Sequence, residues 1–305
     1  LSSASGKALS CLVLGSAAGG GFPQWNCGCR LCTLARSGDP RAKPRTQVSV
    51  AVSADGDNWL LVGASPDLRQ QILENPAMSP RSARHSPIMG VVLVSADIDG
   101  LAGLLVLREQ QSFRIFAPAS TLKILQDNAL FASLDPSLVE RVPITANTPV
   151  DAGFGLTLTL LEMPGKTPLY HEERGATVAQ AAVTYAARIE GGGRTAIIAP
   201  ACAEVTDAVL DRLNGADVLF FDGTLFTDDE MIQAGLSQKT GRRMGHVSVS
   251  GPDGSLARLS NHPGRRIYLH INNSNPMLLE DSAEREEVTA AGFEVAEDGM
   301  LVELT

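Results

Sequence analysis

No run of eighteen apolar residues occurs in the 305-residue chain, so no segment reads as a membrane-spanning helix. Basic charge is scarce as well: 25 Lys and Arg stand against 34 Asp and Glu, a formal net charge of −9. Binding along a phosphate backbone needs a dense basic face to release counterions, and this balance argues against nucleic acid as a main partner. The one basic segment, Arg36 to Arg45, reads as a solvated loop. The opening LSSASGKALS lacks the basic-then-apolar layout of a secretory signal. Cysteine is too sparse and too clustered for a disulfide framework, which fits a reducing, cytoplasmic setting. No linker, short-period repeat or low-complexity segment interrupts the chain. A single domain over 1–305 is expected, and 44% apolar content suffices for a sizeable core.

What is present concentrates between Leu14 and Cys32, LGSAAGGGFPQWNCGCRLC. Cys27, Cys29 and Cys32 form a C-x-C-x-x-C cluster, and three thiolates so close repel one another unless a cation sits between them. Zn²⁺ suits soft ligands in a tetrahedral structural site, with the fourth corner supplied from far along the chain. The alternatives are three reduced thiols in a turn, or a redox pair at Cys29 and Cys32, although neither flank resembles a thioredoxin-type entry. The glycines before the cluster follow an apolar run, Leu9 to Leu14, where phosphate cradles often sit. Here no Gly-Lys-Ser/Thr follows, and Pro23 biases its neighbour away from helix, so the glycines read as a turn for close backbone approach.

Further on, Val48–Val52 and Trp59–Val62 flank Asp55-Gly56-Asp57 as a hairpin. Ser65, as N-cap before Pro66, predicts a helix over Leu68–Leu73. Ile88–Val94 is apolar throughout, as for a strand covered on both faces, and a helix is expected over Leu101–Gln110. The alternation continues with a strand at Phe113–Phe116, a helix at Ser120–Phe131 and a strand at Gly155–Glu162. A second hairpin joins Thr177–Ile189 to Thr195–Ile198 through Gly191-Gly192-Gly193. Then come a helix near Glu204–Leu213, strands at Val218–Phe221 and Ile267–Ile271, a helix near Ser282–Ala291 and a strand near Met300–Glu303. Two groups of strands, each opening with a hairpin and closing with strand–helix units, predict an α/β protein with two sheets and helices outside them, a four-layer αββα sandwich.

Functional groups in layered α/β folds gather where strands end. Ile88–Val94 runs into Asp97 and Asp99, Val218–Phe221 into Asp222, and Ile267–Leu269 into His270. Should these strands be neighbours, the ends converge on one patch of carboxylates and imidazole, which a metal or protons must neutralise. Each has a plainer alternative: Asp99 as an N-cap, Asp222 as an Asx turn, His270 as a core histidine. His171, in the long loop after Pro164, is a candidate to touch substrate; His85 and His262 read as surface residues. Cys11 and Cys202, in apolar runs, read as buried, inert thiols.

The opening LGSAAGGGFPQWNCGCRLC, followed in order by NWLLVGASPDLR, DGLAGLLVLRE, the stretch Asp222–His246 and HINNSNP, resembles the pyrroloquinoline quinone (PQQ) biosynthesis protein B family of the metallo-β-lactamase superfamily. That resemblance implies the αββα fold and carries Asp99, Asp222 and His270 over as active-site metal ligands, with Asp97 or His246 in support. Ser95 and Asp97 stand where the superfamily's first metal has histidines, Gly100 where relatives keep one, and Lys166 where another is expected. A two-metal hydrolase is therefore disfavoured, and a mononuclear Fe²⁺ centre is implied, with zinc only bracing the cysteine loop. For the fourth zinc corner His270 and Asn273 compete, and because Asn is a poor zinc ligand another group is left open. His246, in a Gly-His element, and His171 are implied as proton-handling groups. The activity implied is Fe²⁺- and O₂-dependent hydroxylation of the tyrosine ring in a cross-linked Glu–Tyr precursor. The alternatives are a non-catalytic carrier of PQQ or its precursor and a degenerate phosphodiester hydrolase; a homodimer is left open.

Overall fold

The structure is a computed structural model that describes residues 9–166 and 183–305. Two seven-stranded sheets organise it. The first contains β1 (Leu9–Gly15), β2 (Ser49–Ser53), β3 (Trp59–Val62), β4 (Ile88–Val92), β5 (Phe113–Ala117), β6 (Val139–Pro143) and β14 (Leu301–Leu304), in the order β14-β1-β2-β3-β4-β5-β6. The second contains β7 (Val150–Gly153), β8 (Leu156–Pro164), β9 (Val183–Gly191), β10 (Arg194–Ala199), β11 (Val218–Asp222), β12 (Arg265–Leu269) and β13 (Phe293–Val295), in the order β13-β12-β11-β10-β9-β8-β7. Each sheet is antiparallel where hairpins build it and parallel where helices cross over, β3 to β6 in one and β10 to β13 in the other.

Alternation along the strands decides the layers. Cys11 and Val13 of β1 face inward with Val218 and Phe220 of β11, joining Leu60, Val92, Phe116, Leu158 and Ile198 in the core between the sheets. Leu12 and Leu14 face outward onto Leu68, Leu101 and Leu125, carried by α2 (Leu68–Glu74), α3 (Ile98–Leu101) and α4 (Ala119–Asp127). Leu219 and Phe221 face the other way, onto Leu31, Val209, Leu259 and Val288. These come from α1 (Arg30–Arg36), α5 (Asp207–Leu213), the loop after α7 (Ser255–Arg258) and α8 (Ala283–Ala290). Four layers result, as the sequence predicts. Each large apolar side chain buried this way contributes about 1.5–3 kcal/mol.

Several local expectations change. The N-cap of α2 is Asp67, not Ser65, and its carboxylate is turned away to accept from the Gln47 backbone and side-chain amides at 2.9 and 3.0 Å. The expected helix over Leu101–Gln110 is instead the short α3 followed by a 3₁₀ turn, Ala102–Leu107. Gly103 explains the tight path: a Cβ there would lie 2.1 Å from the Ser65 carbonyl. The helix at Ser120–Phe131 stops at Asp127, with a 3₁₀ turn at Ala129–Ser133. The predicted strand over Thr177–Ile189 is seen from Val183; its first residues, like Tyr170 and His171, lie outside the described residues. Arg45 is not solvated: its side chain is 1% exposed, between Glu280 and Glu297 and bonded to the Ala296 carbonyl. The Glu280 and Glu297 carboxylates, 3.9 and 3.6 Å away, only partly offset the burial of the guanidinium, which pattern alone does not disclose. Among the described residues no helix is long and apolar enough to cross a membrane.

Candidate metal centre and cavity

Parallel pairing of β11 with β12 sets Asp222 opposite Leu269, so His270 emerges one step beyond the ladder. His270 takes a left-handed backbone, φ 58°, which a non-glycine residue adopts only where its surroundings impose it. The bridge from Ala17 to Ile271 ties the end of β1 to the same rim, bringing the glycine turn across from the other sheet. A Cβ on Gly19 would lie 3.5 Å from the Asp99 carboxylate, so this turn serves close backbone approach, as its sequence suggests.

Asp222, His246 and His270 bring potential ligand atoms within 4.8 Å of one another. Asp222 is fully buried. Its Oδ1 accepts from the Thr224 amide at 3.0 Å and hydroxyl at 2.6 Å, its Oδ2 from the Cys202 amide at 2.9 Å, and His246 Nδ1 lies 2.8 Å from Oδ2. The Asx turn anticipated as the plainer role of Asp222 is therefore present within the cluster. Thr224 Oγ1 also lies 2.8 Å from His270 Nδ1 and 3.0 Å from His246 Nδ1. Its one proton goes to Asp222, the closest and only charged acceptor, so His270 Nδ1 is the donor to Thr224. His270 Nε2 is the outward nitrogen, 3.2 Å from Asp99 Oδ2, and the hydrogen bond between them places a second proton on the ring, making it an imidazolium. The two imidazoles stack with centroids 5.1 Å apart.

Burial alone would push Asp99 up and His270 down, but their hydrogen bond and mutual charge prevail: the carboxyl lies below its ordinary value and the imidazole above. Asp97 is raised, by burial and by the Asp99 charge, against a partial offset from Lys166. Asp99 lies within the first turn of α3 and Asp97 is the cap residue, which removes the N-cap alternative for Asp99.

These groups open on a cavity of about 310 Å³ with Val62, Val94, Ile198, Met231 and Met244 among its apolar walls. Asp97, Asp99, Lys166, His246, His270 and Asn272 supply its polar lining. The Lys166 stem passes over Gly245, where a Cβ would lie 2.9 Å from Lys166 Cγ. Gly100 lines the cavity too, and a Cβ on it would meet nothing nearer than Ser95 Oγ at 3.9 Å.

The second cluster is Cys27, Cys29 and Cys32, whose sulfurs also lie within 4.8 Å of one another. Cys29 caps α1, its sulfur accepting from the Cys32 amide at 3.5 Å. Against burial, hydrogen bonds from the Cys32 backbone and the neighbouring thiols lower the Cys29 thiol, while burial and the Cys29 charge push Cys32 up to about 11. Of the two residues competing for the fourth corner, Asn273 is the one that arrives: its amide nitrogen lies 3.2, 3.9 and 3.3 Å from the sulfurs of Cys27, Cys29 and Cys32. His270 belongs to the other cluster.

The model of the beta-lactamase superfamily domain matches residues 58–271. Coenzyme PQQ synthesis protein B of Methylorubrum extorquens is 49% identical over 96% of this chain and 99% of its own length. The protein of that name from Methylobacterium nodulans is 50% identical over 97% and 100%. The chain belongs to the coenzyme PQQ synthesis protein B family. Among solved structures, Zn²⁺-bound PqqB from Methylobacterium extorquens superposes with a TM-score of 0.92 at 47% identity, covering 97% of this chain and all of that one.

Cys11 and Cys202 are buried thiols, each pushed up to about 12 by burial. His85 and His262 are half-buried rather than free on the surface, each bonded to backbone: His85 Nδ1 accepts from the Arg81 amide and His262 Nε2 faces the Leu213 carbonyl. Sequence reasoning missed Thr224, although Asp-Gly-Thr directly after an apolar strand was a usable signal. It also missed Glu230, on the short α6 (Glu230–Gln233) beside the cavity. Glu230 Oε2 accepts from the Phe226 amide at 2.7 Å and Oε1 from Ser274 Oγ at 2.5 Å. Burial nevertheless pushes its carboxyl up to about 7.

A carboxyl raised in the folded state contributes stability below its unfolded value, near 4.5, that is lost as pH rises through 7. Glu230→Gln removes this titration. Relative to the native chain it is expected to gain on the order of 2 kcal/mol between pH 4.5 and pH 8, read from urea midpoints at each pH. A pH-independent difference would show that Glu230 titrates normally.

Proposed function

We propose that this PQQ biosynthesis protein is a mononuclear non-haem iron hydroxylase acting on the tyrosine ring of a cross-linked Glu–Tyr precursor. The observation that carries the reading is the cavity whose wall joins an imidazole–carboxylate cluster to apolar surface, of a size for one aromatic ligand. Ser95, Asp97, Gly100 and Lys166 stand around it where a two-metal hydrolase needs histidines, which disfavours the phosphodiesterase reading. His270 and Asp222, with Asp99, form a nitrogen–oxygen donor set that fits iron, and the three thiols fit zinc, the metal named for the related structure.

Iron would supply O₂ activation. Ring hydroxylation converts C–H to C–OH with one oxygen atom of O₂, the other leaving as water with two electrons and two protons from an external reductant. The chain's own groups orient and move protons. Asp222 and Thr224 fix both imidazoles, leaving Nε2 of His246 free to exchange a proton at the cavity. Val62, Val94 and Ile198 keep water from the ring, and Lys166 offsets the charge of Asp97 and any ligand carboxylate. His171 remains a candidate for substrate contact.

The carrier reading is favoured by Gly100, since open space stands where the family resemblance implies a histidine. The deciding experiment loads iron anaerobically into the chain and into Gly100→His, then follows O₂ uptake with the cross-linked precursor. Product-linked uptake by the chain itself supports the hydroxylase. Binding of precursor without uptake, gained only in Gly100→His, selects the carrier.

A further inference from the structure

We infer that Glu230, acting through Ser274, fixes which end of the Asn272 amide faces the cavity, so that the cavity presents an acceptor there and selects an N–H or ammonium group on its ligand. This rests on the cavity being the ligand site and adds what that site recognises. Ser274 Oγ stands between the two residues, 2.5 Å from Glu230 Oε1 and 2.6 Å from Asn272 Nδ2. An ionised carboxylate only accepts, so the single Ser274 proton points at Glu230. The serine oxygen is then left to accept, and only the NH₂ end of Asn272 can satisfy it. The carbonyl end is presented to the cavity, which Asn272 lines.

Two further observations make this a built device. The Asn272 main chain is locked, its amide bonded to the Thr224 carbonyl at 3.0 Å and its carbonyl accepting from the Asn275 amide at 2.9 Å, so only the amide end remains to be chosen. No hydrogen bond among the described residues reaches Asn272 Oδ1, although the residue is only 8% exposed. Lys166 is the one Lys or Arg among the described lining residues and suits a carboxylate. A carboxylate for Lys166 and an amine or N–H for Asn272 together describe an amino-acid-derived ligand.

An isosteric change reverses the chain of donors. In Glu230→Gln the Phe226 amide still requires an acceptor, so the Gln carbonyl turns to it and the Gln NH₂ faces Ser274. Ser274 then accepts from Gln and donates to Asn272, whose NH₂ swings to the cavity.

The test uses the metal-loaded protein at pH 8.5, above the value of about 7 for Glu230. Dissociation constants are compared for L-tyrosine and 3-(4-hydroxyphenyl)propanoate, which lacks the amine. The native chain should prefer L-tyrosine by about tenfold, as for one hydrogen bond to a charged group. Glu230→Gln should abolish or invert that ratio, Ser274→Ala should bring it near unity, and adding Asn272→Asp to Glu230→Gln should restore it. An unchanged ratio in Glu230→Gln overturns the inference. A ligand-free arm follows the Asn272 side-chain amide by NMR. Its NH₂ protons should show contacts to the Ser274 methylene in the native chain and lose them in Glu230→Gln; persistence of those contacts also overturns it. Should neither probe bind while the amide inverts, the reading of the cavity as a substrate site fails and the polarity relay stands.

Discussion

Asp222→Ala is expected to empty the imidazole–carboxylate centre of metal while leaving one zinc per chain at the thiols, and to lower stability by roughly 3–5 kcal/mol. The size follows from what the carboxylate satisfies. The Cys202 amide, the Thr224 amide and His246 Nδ1 lose their acceptor around a carboxylate with no solvent exposure, while the Thr224 hydroxyl can turn to the His270 carbonyl at 3.0 Å. Each buried donor left unpaired costs about 1–3 kcal/mol, and partial relaxation keeps the total below the simple sum. Metal follows stability here, because Thr224 and His246 are positioned by Asp222 and His270 is positioned by Thr224. Metal analysis beside denaturant unfolding reads both effects. Asp222→Asn separates them: an amide oxygen keeps two of the donors paired, so most of the stability should return while the metal, which needs the charge, does not. Full metal occupancy in Asp222→Ala would remove Asp222 from the centre.

Why the sequence discloses some of this and not the rest can be followed residue by residue. Apolar runs ending in a single polar residue, Phe221-Asp222 and Leu269-His270, announce a parallel pair and a site at its end, because a strand buried on both faces tolerates a charge only where it leaves the sheet. The same rule exposes Asp99 after Val94. Layering is legible because β1 and β11 alternate cleanly between two apolar environments. Edge strands are another matter. Val139–Pro143 and Phe293–Val295 carry exposed charged residues and a proline, so their composition resembles loop, and only pairing with a neighbour makes them strands. Arg45 and Glu230 were unreadable for a related reason: a charge in sequence looks solvated, and its burial depends on partners at Glu297 and Ser274 that no local pattern brings near. The choice of Asn273 over His270 at the thiols likewise required knowing that His270 was already committed, by its hydrogen bonds to Thr224 and Asp99.

That commitment sets up the second large effect. Cys32→Ser is expected to abolish zinc retention and to lower the thermal midpoint by at least about 8 °C, since a structural zinc site contributes folding free energy directly. Cys32 is fully buried and packs in the outer core with Leu31 and Ala35, while Asn273 lies on the loop leaving β12, so the cluster clamps α1 to the strand end that carries His270. Loss of the clamp should reach the metal centre as a weaker hold on His270, seen as faster metal release there. Asn273→His tests the same corner in the opposite direction. An amide is a poor donor to zinc and an imidazole a good one, so with three thiolates unchanged the zinc affinity should rise by about tenfold or more, measured as slower transfer to a chelator. The thermal midpoint of the zinc-loaded variant, held near the native value, guards against a misfit of the larger ring at a position only 3% exposed. An affinity that stays level in a protein folded as well as the native chain would mean that a different group completes the tetrahedron, and that Asn273 merely donates hydrogen bonds to sulfur.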